Sequence, residues 1–363
     1  MSVLAPLASI GVLALLIVVH ELGHFLAARL QGIHVNRFSI GFGPILWKYQ
    51  GSRTEYALRG IPLGGFVGFP DDDPESDIPP NDPNLLRNRP ILDRAIVISA
   101  GVIANLIFAY FVFVAQFSTV GIPEGVYNPG VVVPEVTALD SPAAQAGIRS
   151  RDVILAVDGE ELGSADTAMR MLMDKIRAHP NEAVDLHVQR GDQQLNVSVV
   201  PQVGEDGIAR IGVQLAPNAG YRPPKSFFEI FRRAAEVFQR VLVATVQGFW
   251  SLITDFGSMA DQVSGPIKIV EKGAQLAATN ATDLFFFTAI ISINLAIINI
   301  LPLPALDGGQ LVFLLLEGLR GKPVPTRIQE NVMQTGLVLL LGLGIFLIVR
   351  DTTQLEVVQR LFQ

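Results

Sequence analysis

Two histidines and a glutamate fall within five positions of one another in His20-Glu21-Leu22-Gly23-His24, inside a run from Val3 to Leu30 that is otherwise almost wholly apolar. On a helix, residues i and i+4 share a face, so His20 and His24 project one turn apart with Glu21 beside them. Imidazoles at that spacing can grip one zinc ion, and a neighbouring carboxylate can take a proton from the attacking water. Together they are the apparatus of metal-assisted hydrolysis. The bland alternative is a pair of buried, hydrogen-bonded histidines. It is the weaker reading inside a membrane span, where ionisable side chains are costly and mark functional sites.

A catalytic zinc takes three protein ligands and keeps one position open. The chain has no cysteine, so any further ligand must be a histidine or a carboxylate. Asp307 is the candidate. It stands in Asn299-Ile-Leu-Pro-Leu-Pro-Ala-Leu-Asp-Gly-Gly309, where Pro302 and Pro304 break a third apolar helix. Asp307 is therefore expected to project from unwound backbone, tolerable at membrane depth only against a cavity or another helix.

The elements that must position these residues are membrane helices. Of the 363 residues, 50% are hydrophobic and 17% charged, which describes a polytopic membrane protein whose surroundings include lipid. A net charge of -7 without a dense basic patch argues against a nucleic-acid partner. Val3 to Val19 rises about 25 Å before the first histidine, so His20 lies near the far side of the hydrocarbon. No basic amino-terminal region precedes it, and an uncleaved first span is expected. Arg37, Lys48, Arg53, Arg59, Arg87 and Arg89 make the following loop cytoplasmic, with the amino terminus outside. The basic loop Arg320 to Arg327 returns Asp307 to the same side, at a depth similar to that of the histidines.

The expected organisation is a first transmembrane helix over 1–33, a cytoplasmic loop with a β-segment over 34–94, and a second helix over 95–120. An inserted α+β domain (121–202), a post-domain segment with an amphipathic helix (203–283), and the third and fourth transmembrane helices (284–363) follow. Within the loop, Glu55 to Pro70 is Gly-rich with β character and is read as a hairpin able to dip toward the site. Asn105, in the second span, is read as packing glue between helices. The domain carries Ser141-Pro-Ala-Ala-Gln-Ala-Gly-Ile and Asp152-Val-Ile-Leu-Ala-Val-Asp-Gly159, and from Gly130 to Pro201 it resembles a bacterial PDZ domain, which takes peptide ends by strand addition. Glu124 to Gly130 is assigned as its carboxylate-binding loop. A metal transporter would also hold His and Asp at membrane depth, but it leaves this domain without a role.

Over nearly its whole length the sequence resembles the site-2 proteases, intramembrane zinc metalloproteases of the bacterial RseP type. The shared motifs are His20-Glu-Leu-Gly-His24, Asn299-x-x-Pro-x-Pro-x-Leu-Asp-Gly308, Ser264-Gly-Pro266 and the PDZ-like insertion. The resemblance implies zinc held by His20, His24 and Asp307, with Glu21 as base. It implies that Asn294 and Asn299 hold the substrate backbone extended, and that the segment around Gly64 and Gly65 is a membrane re-entrant β-loop pairing with that strand. It further implies membrane-protein substrates cut within their spans and a place in a bacterial inner membrane, or a cyanobacterial or plastid one, with the PDZ-like domain outside the cytoplasm. The chain departs from the pattern in having one PDZ-like domain where some members have two, and Gln310 where many have histidine.

Overall fold

The computed structural model describes residues 4–73, 76–138, 140–204, 207–255, 265–279 and 281–353. The chain divides into two compact units, one of residues 1–117 and 228–363, the other of residues 118–227.

The first unit is mainly helical. Its helices are α1 (Leu4–Leu30), α2 (Ile91–Thr119), α5 (Phe227–Thr254), α6 (Pro266–Thr279), α7 (Ala281–Ile300), α8 (Asp307–Arg320) and α9 (Thr326–Thr353). Among the described residues four segments are long and apolar enough to cross a membrane: Ala5–Leu30, Ile91–Thr119, Asp283–Ile300 and Thr326–Thr353. Small residues set how closely they approach. A Cβ on Gly23 would strike the carbonyl of Ala100 and stand 2.7 Å from the Ala104 methyl, so α1 and α2 meet backbone to backbone beside His20 and His24. Ser292 Oγ on α7 donates to the Asn105 carbonyl at 2.8 Å, and Phe113 packs on Phe286 with ring centres 5.9 Å apart, which ties α2 to α7. A partly buried ion pair between Arg94 and Glu317 joins the start of α2 to α8.

Sequence reasoning placed Asp307 on unwound backbone; it is instead the first residue of α8. The prolines do break the chain, but the break is confined to Leu301–Leu306, with Ala305 in the left-handed region (φ 70). Gly308 and Gly309 allow α8 to start against the chain that ends α7, since a Cβ on either would strike the carbonyls of Ile300, Leu301 or Leu303. Helix α6 was not anticipated. The carboxylate of Asp351, wholly buried near the end of α9, accepts from the Lys268 N–H at 3.2 Å in the first turn of α6. Gly265 leaves the room for that carboxylate, and Gly273 lets α6 lie against Ser9 of α1 and Phe287 of α7. Ser264, the first residue of the Ser-Gly-Pro motif, is outside the described residues.

Between α1 and α2, strands β1 (Arg37–Gln50) and β2 (Glu55–Gly68) fold into a small mixed sheet. The hairpin expected within Glu55 to Pro70 is thus corrected, because the partner strand lies upstream. Arg37 to Ile40 runs parallel to Glu55 to Leu58 on one side, and on the other Ile40 faces Gly65 and Arg37 faces Gly68 in antiparallel fashion. Trp47 to Gln50 pairs with the far edge of Glu55 to Leu58. Two long strands therefore make four short rungs, with Gly65–Gly68 at one edge among the described residues. Phe25, the residue after His24, holds the sheet to α1 through Phe38 (5.2 Å) and Tyr56 (6.1 Å). Phe42, Ile45, Leu46, Trp47, Tyr49 and Ile61 are exposed.

The second unit contains β3 (Ile122–Val132), α3 (Pro142–Gln145), β4 (Val153–Val157), β5 (Glu160–Glu161), α4 (Ala165–Ala178), β6 (Val184–Arg190), β7 (Gln193–Val199), β8 (Gln202–Val203), β9 (Ala209–Arg210) and β10 (Ala216–Arg222). Its main sheet runs β10-β3-β4-β6-β7, and Val131, Ile154, Leu172, Leu186 and Val188 fill the core. Ser141 caps α3 by accepting from the Ala144 N–H. Asp152, buried, accepts two hydrogen bonds from Arg190 (2.8 and 2.7 Å) and one from the Arg149 N–H (2.8 Å). The unit ends at 227, beyond the 202 expected, because β10 pairs antiparallel with β3, Ala216 opposite Val132 and Arg222 opposite Ile122. That same pairing makes Glu124 to Gly130 part of a strand, correcting its assignment as a carboxylate-binding loop.

Candidate metal centre

Helix α1 presents His20 and His24 to α2 at the point where Gly23 and Ala100 bring the two backbones together. The two Nε2 atoms are 3.2 Å apart, with the rings edge to face. Each Nε2 is 3.3 Å from Oδ2 of Asp307. All three side chains are at least six-sevenths buried, and Oδ2 accepts no hydrogen bond of good geometry despite its two close neighbours. Zinc binds nitrogen and oxygen at about 2.0–2.1 Å in a tetrahedron, whose edges are then about 3.3–3.4 Å. The observed triangle is one face of such a tetrahedron, so the donors fit zinc and leave its fourth position free.

Supporting contacts come from α2. His24 Nδ1 donates to the carbonyl of Val97 at 2.8 Å, which turns Nε2 toward the shared point. Gly101 faces both rings: a Cβ there would stand 2.7 Å from Cε1 of each histidine. Asn105 is fully buried with its amide 3.3 Å from His20 Nδ1. Sequence reasoning missed Val97 and Gly101 and took Asn105 for packing. The signal was present: a glycine and an asparagine at i and i+4 put a small and a polar residue on one face of an otherwise apolar helix.

Glu21 is within electrostatic reach of His24, His20 and Asp307, and its carboxylate accepts the backbone N–H of Val67 from the edge strand. Gly65 makes that approach possible, because a Cβ on it would sit 3.0 Å from Glu21 Cγ and 3.0 Å from the Ser39 carbonyl. Gly64 has φ 101 and lies under the Phe42 ring, so a side chain is excluded twice over. Asn294 and Asn299 are partly buried on α7, and among the described residues neither side chain makes a hydrogen bond. The structure thus brings His20, Glu21, His24, Asp307 and Gly65 together and leaves both asparagine amides uncommitted.

Histidine and carboxylate donors gathered inside an apolar helical body, with a second carboxylate alongside, define a membrane-embedded metallopeptidase. The model of "Peptidase family M50" matches residues 8–343. The protein all3971 of Nostoc sp., a zinc metalloprotease by name, is 62% identical, the match covering 99% of this chain and 100% of that one. The chloroplastic membrane metalloprotease ARASP of Arabidopsis thaliana is 46% identical over 98% of this chain and 80% of its own. The regulator of sigma-E protease RseP of Escherichia coli is 28% identical over 95% and 98%. This chain belongs to peptidase family M50, the site-2 proteases, and is a metalloendopeptidase. Among solved structures, the PDZ domain of the SdrC-like protein Lmo2051 from Listeria monocytogenes aligns with 25% of this chain and 93% of its own, at 24% identity and a TM-score of 0.22.

Proposed function

We propose that the protein is an intramembrane zinc endopeptidase that cuts the transmembrane segment of a membrane-protein substrate, such as an anti-sigma regulator or a signal-peptide remnant. The triangle of 3.2–3.3 Å formed by His20, His24 and Asp307, buried beside Glu21, is the observation that carries this reading. Zinc held by these three residues would supply Lewis acidity to the scissile carbonyl and to the attacking water. Glu21 takes the water proton on its carboxylate and returns it to the leaving amide nitrogen. The Val67 N–H keeps that carboxylate in place meanwhile.

A helical substrate hides its amides in hydrogen bonds, so it must unwind before it can be cut. The edge Gly65–Gly68 offers replacement backbone partners by strand addition, with Asn294 and Asn299 supplying side-chain amides from α7. Glu21 on α1 lies next to Gly65 of that edge, so a backbone laid along it arrives beside the base. The cytoplasmic assignment of the basic loops leaves residues 118–227, read as a PDZ-like domain, outside the cytoplasm of a bacterial inner membrane or an equivalent plastid membrane. There it would select partners by their outer portion and never touch the scissile bond.

Comparing membrane stubs that accumulate in a Glu21→Gln strain with those of the parent tests the proposal. Transmembrane fragments that build up in the variant and vanish when the parent is restored are expected. Identical stub populations would overturn the reading.

A further inference from the structure

We infer that Asn105 is a positioning residue for the metal site: its side-chain carbonyl accepts the Nδ1 hydrogen of His20 and so fixes Nε2 of that ring toward the metal. The inference rests on the zinc reading above. His20 Nε2 lies 3.2 Å from His24 Nε2 and 3.3 Å from Asp307 Oδ2, so Nε2 is the atom that faces the shared point. A neutral imidazole that gives the lone pair of Nε2 to a metal carries its hydrogen on Nδ1, and that hydrogen needs an acceptor. For His24 the acceptor is the Val97 carbonyl. For His20 the neighbour at 3.3 Å is the amide of Asn105, and this residue has no exposed surface.

With the amide nitrogen toward Nδ1, a donor is set against a donor. Its own oxygen, buried, accepts no hydrogen bond. Nitrogen and oxygen of an asparagine amide are nearly equal in shape, and their assignment follows from the hydrogen-bond network. Turning the amide over places Oδ1 at the 3.3 Å position, where the ring needs it. Both histidines then have an acceptor behind them on α2, one from main chain and one from side chain, separated by two turns with Gly101 between. The packing role assigned to Asn105 from sequence belongs to its backbone carbonyl, which accepts from Ser292 Oγ.

Zinc affinity of the purified full-length protein, by competition with a chromophoric chelator, and the visible spectrum of its Co2+ form provide the test. His20→Ala is the control for the site itself: if it leaves affinity unchanged, the zinc reading falls and the inference with it. Given a His20-dependent site, Asn105→Leu, similar in size but without an acceptor, is expected to bind zinc about 10–100-fold more weakly and to shift the Co2+ bands. Asn105→Asp, which keeps an acceptor in place, should restore affinity to within about threefold of the parent, well inside that range. Ser292→Ala removes the interhelical hydrogen bond and should leave affinity and spectrum unchanged. Parental affinity and bands in Asn105→Leu would overturn the inference while the zinc site stands. Should Asn105→Leu not assemble, Asn105→Asp decides: a loss as large as that expected for Leu overturns it.

Discussion

Gly101→Ala puts one methyl group into the space between the two histidines. Its Cβ would lie 2.7 Å from Cε1 of His20 and 2.7 Å from Cε1 of His24, and nearer still to His24 Nε2. Non-bonded carbons settle at about 3.5–4.0 Å, so each ring has to retreat by about 0.8 Å or more. Metal–ligand distances tolerate only about 0.2 Å, and at least one imidazole must leave the coordination sphere. A full zinc site in a small domain binds with about 10–16 kcal/mol, or about 3 kcal/mol per ligand. The loss of one is then about a hundredfold in affinity. Helix α2 is not itself weakened, because alanine favours a helix over glycine by about 1 kcal/mol. The assay is zinc content after dialysis against a graded chelator series, alongside thermal melting of the metal-free protein. A folded Gly101→Ala protein that holds zinc and cleaves as the parent does would refute the placement of both rings against α2.

Glu21→Gln should keep its zinc, measured by elemental analysis, yet lose cleavage by about 10²–10⁴-fold, the usual contribution of a general base. Asp307→Ala should lose zinc and activity together; full zinc in that variant moves the third ligand elsewhere. Asn294→Leu and Asn299→Leu should lower the cleavage rate by about tenfold each with zinc content unchanged, the loss expected for one hydrogen bond to substrate; parallel loss of metal would make them supports of the fold. Excising 118–227 with a short linker should leave the zinc site assembled and admit substrates whose outer portion has not been trimmed. Cleavage of trimmed and untrimmed substrates in membranes by the deletion and the full chain decides this, and undiminished discrimination by the deletion refutes the filter role.

The site was legible in the sequence to the extent that its chemistry is carried by residue types that apolar helices do not otherwise contain. His20, His24 and Asp307 stand out because a membrane span gives them no other employment. The elements that were not legible are those whose pairing is remote or whose pattern is broken. Arg37–Gln50 has no steady alternation, interrupted as it is by Gly41, Gly43 and Pro44, so β1 went unseen and the hairpin was sought inside Glu55 to Pro70. Strand β10 is stabilised by β3, more than eighty residues upstream, and nothing local announces it. Helix α6 is short, and its start is fixed by Asp351 from the other end of the fourth apolar helix. Asn105 was visible, but a polar residue in a span has a packing explanation by default, and only the 3.3 Å approach to His20 distinguishes the two roles.

His24 and Asp307 meet at 3.3 Å although roughly 280 residues of chain lie between them, the length of loop that any metal joining them would close. During synthesis the first helix, carrying both histidines and the glutamate, enters the membrane long before the aspartate has been made. On the proposed assignment, a chain made only as far as its first helix would hold two donors and the base but lack the third ligand. The three donors come together only once Asp307 has been made and the start of α8 stands against His20 and His24. The wide separation of the donors thus ties completion of the proposed site to the late part of the chain, where Gly308 and Gly309 let α8 start against the backbone that ends α7.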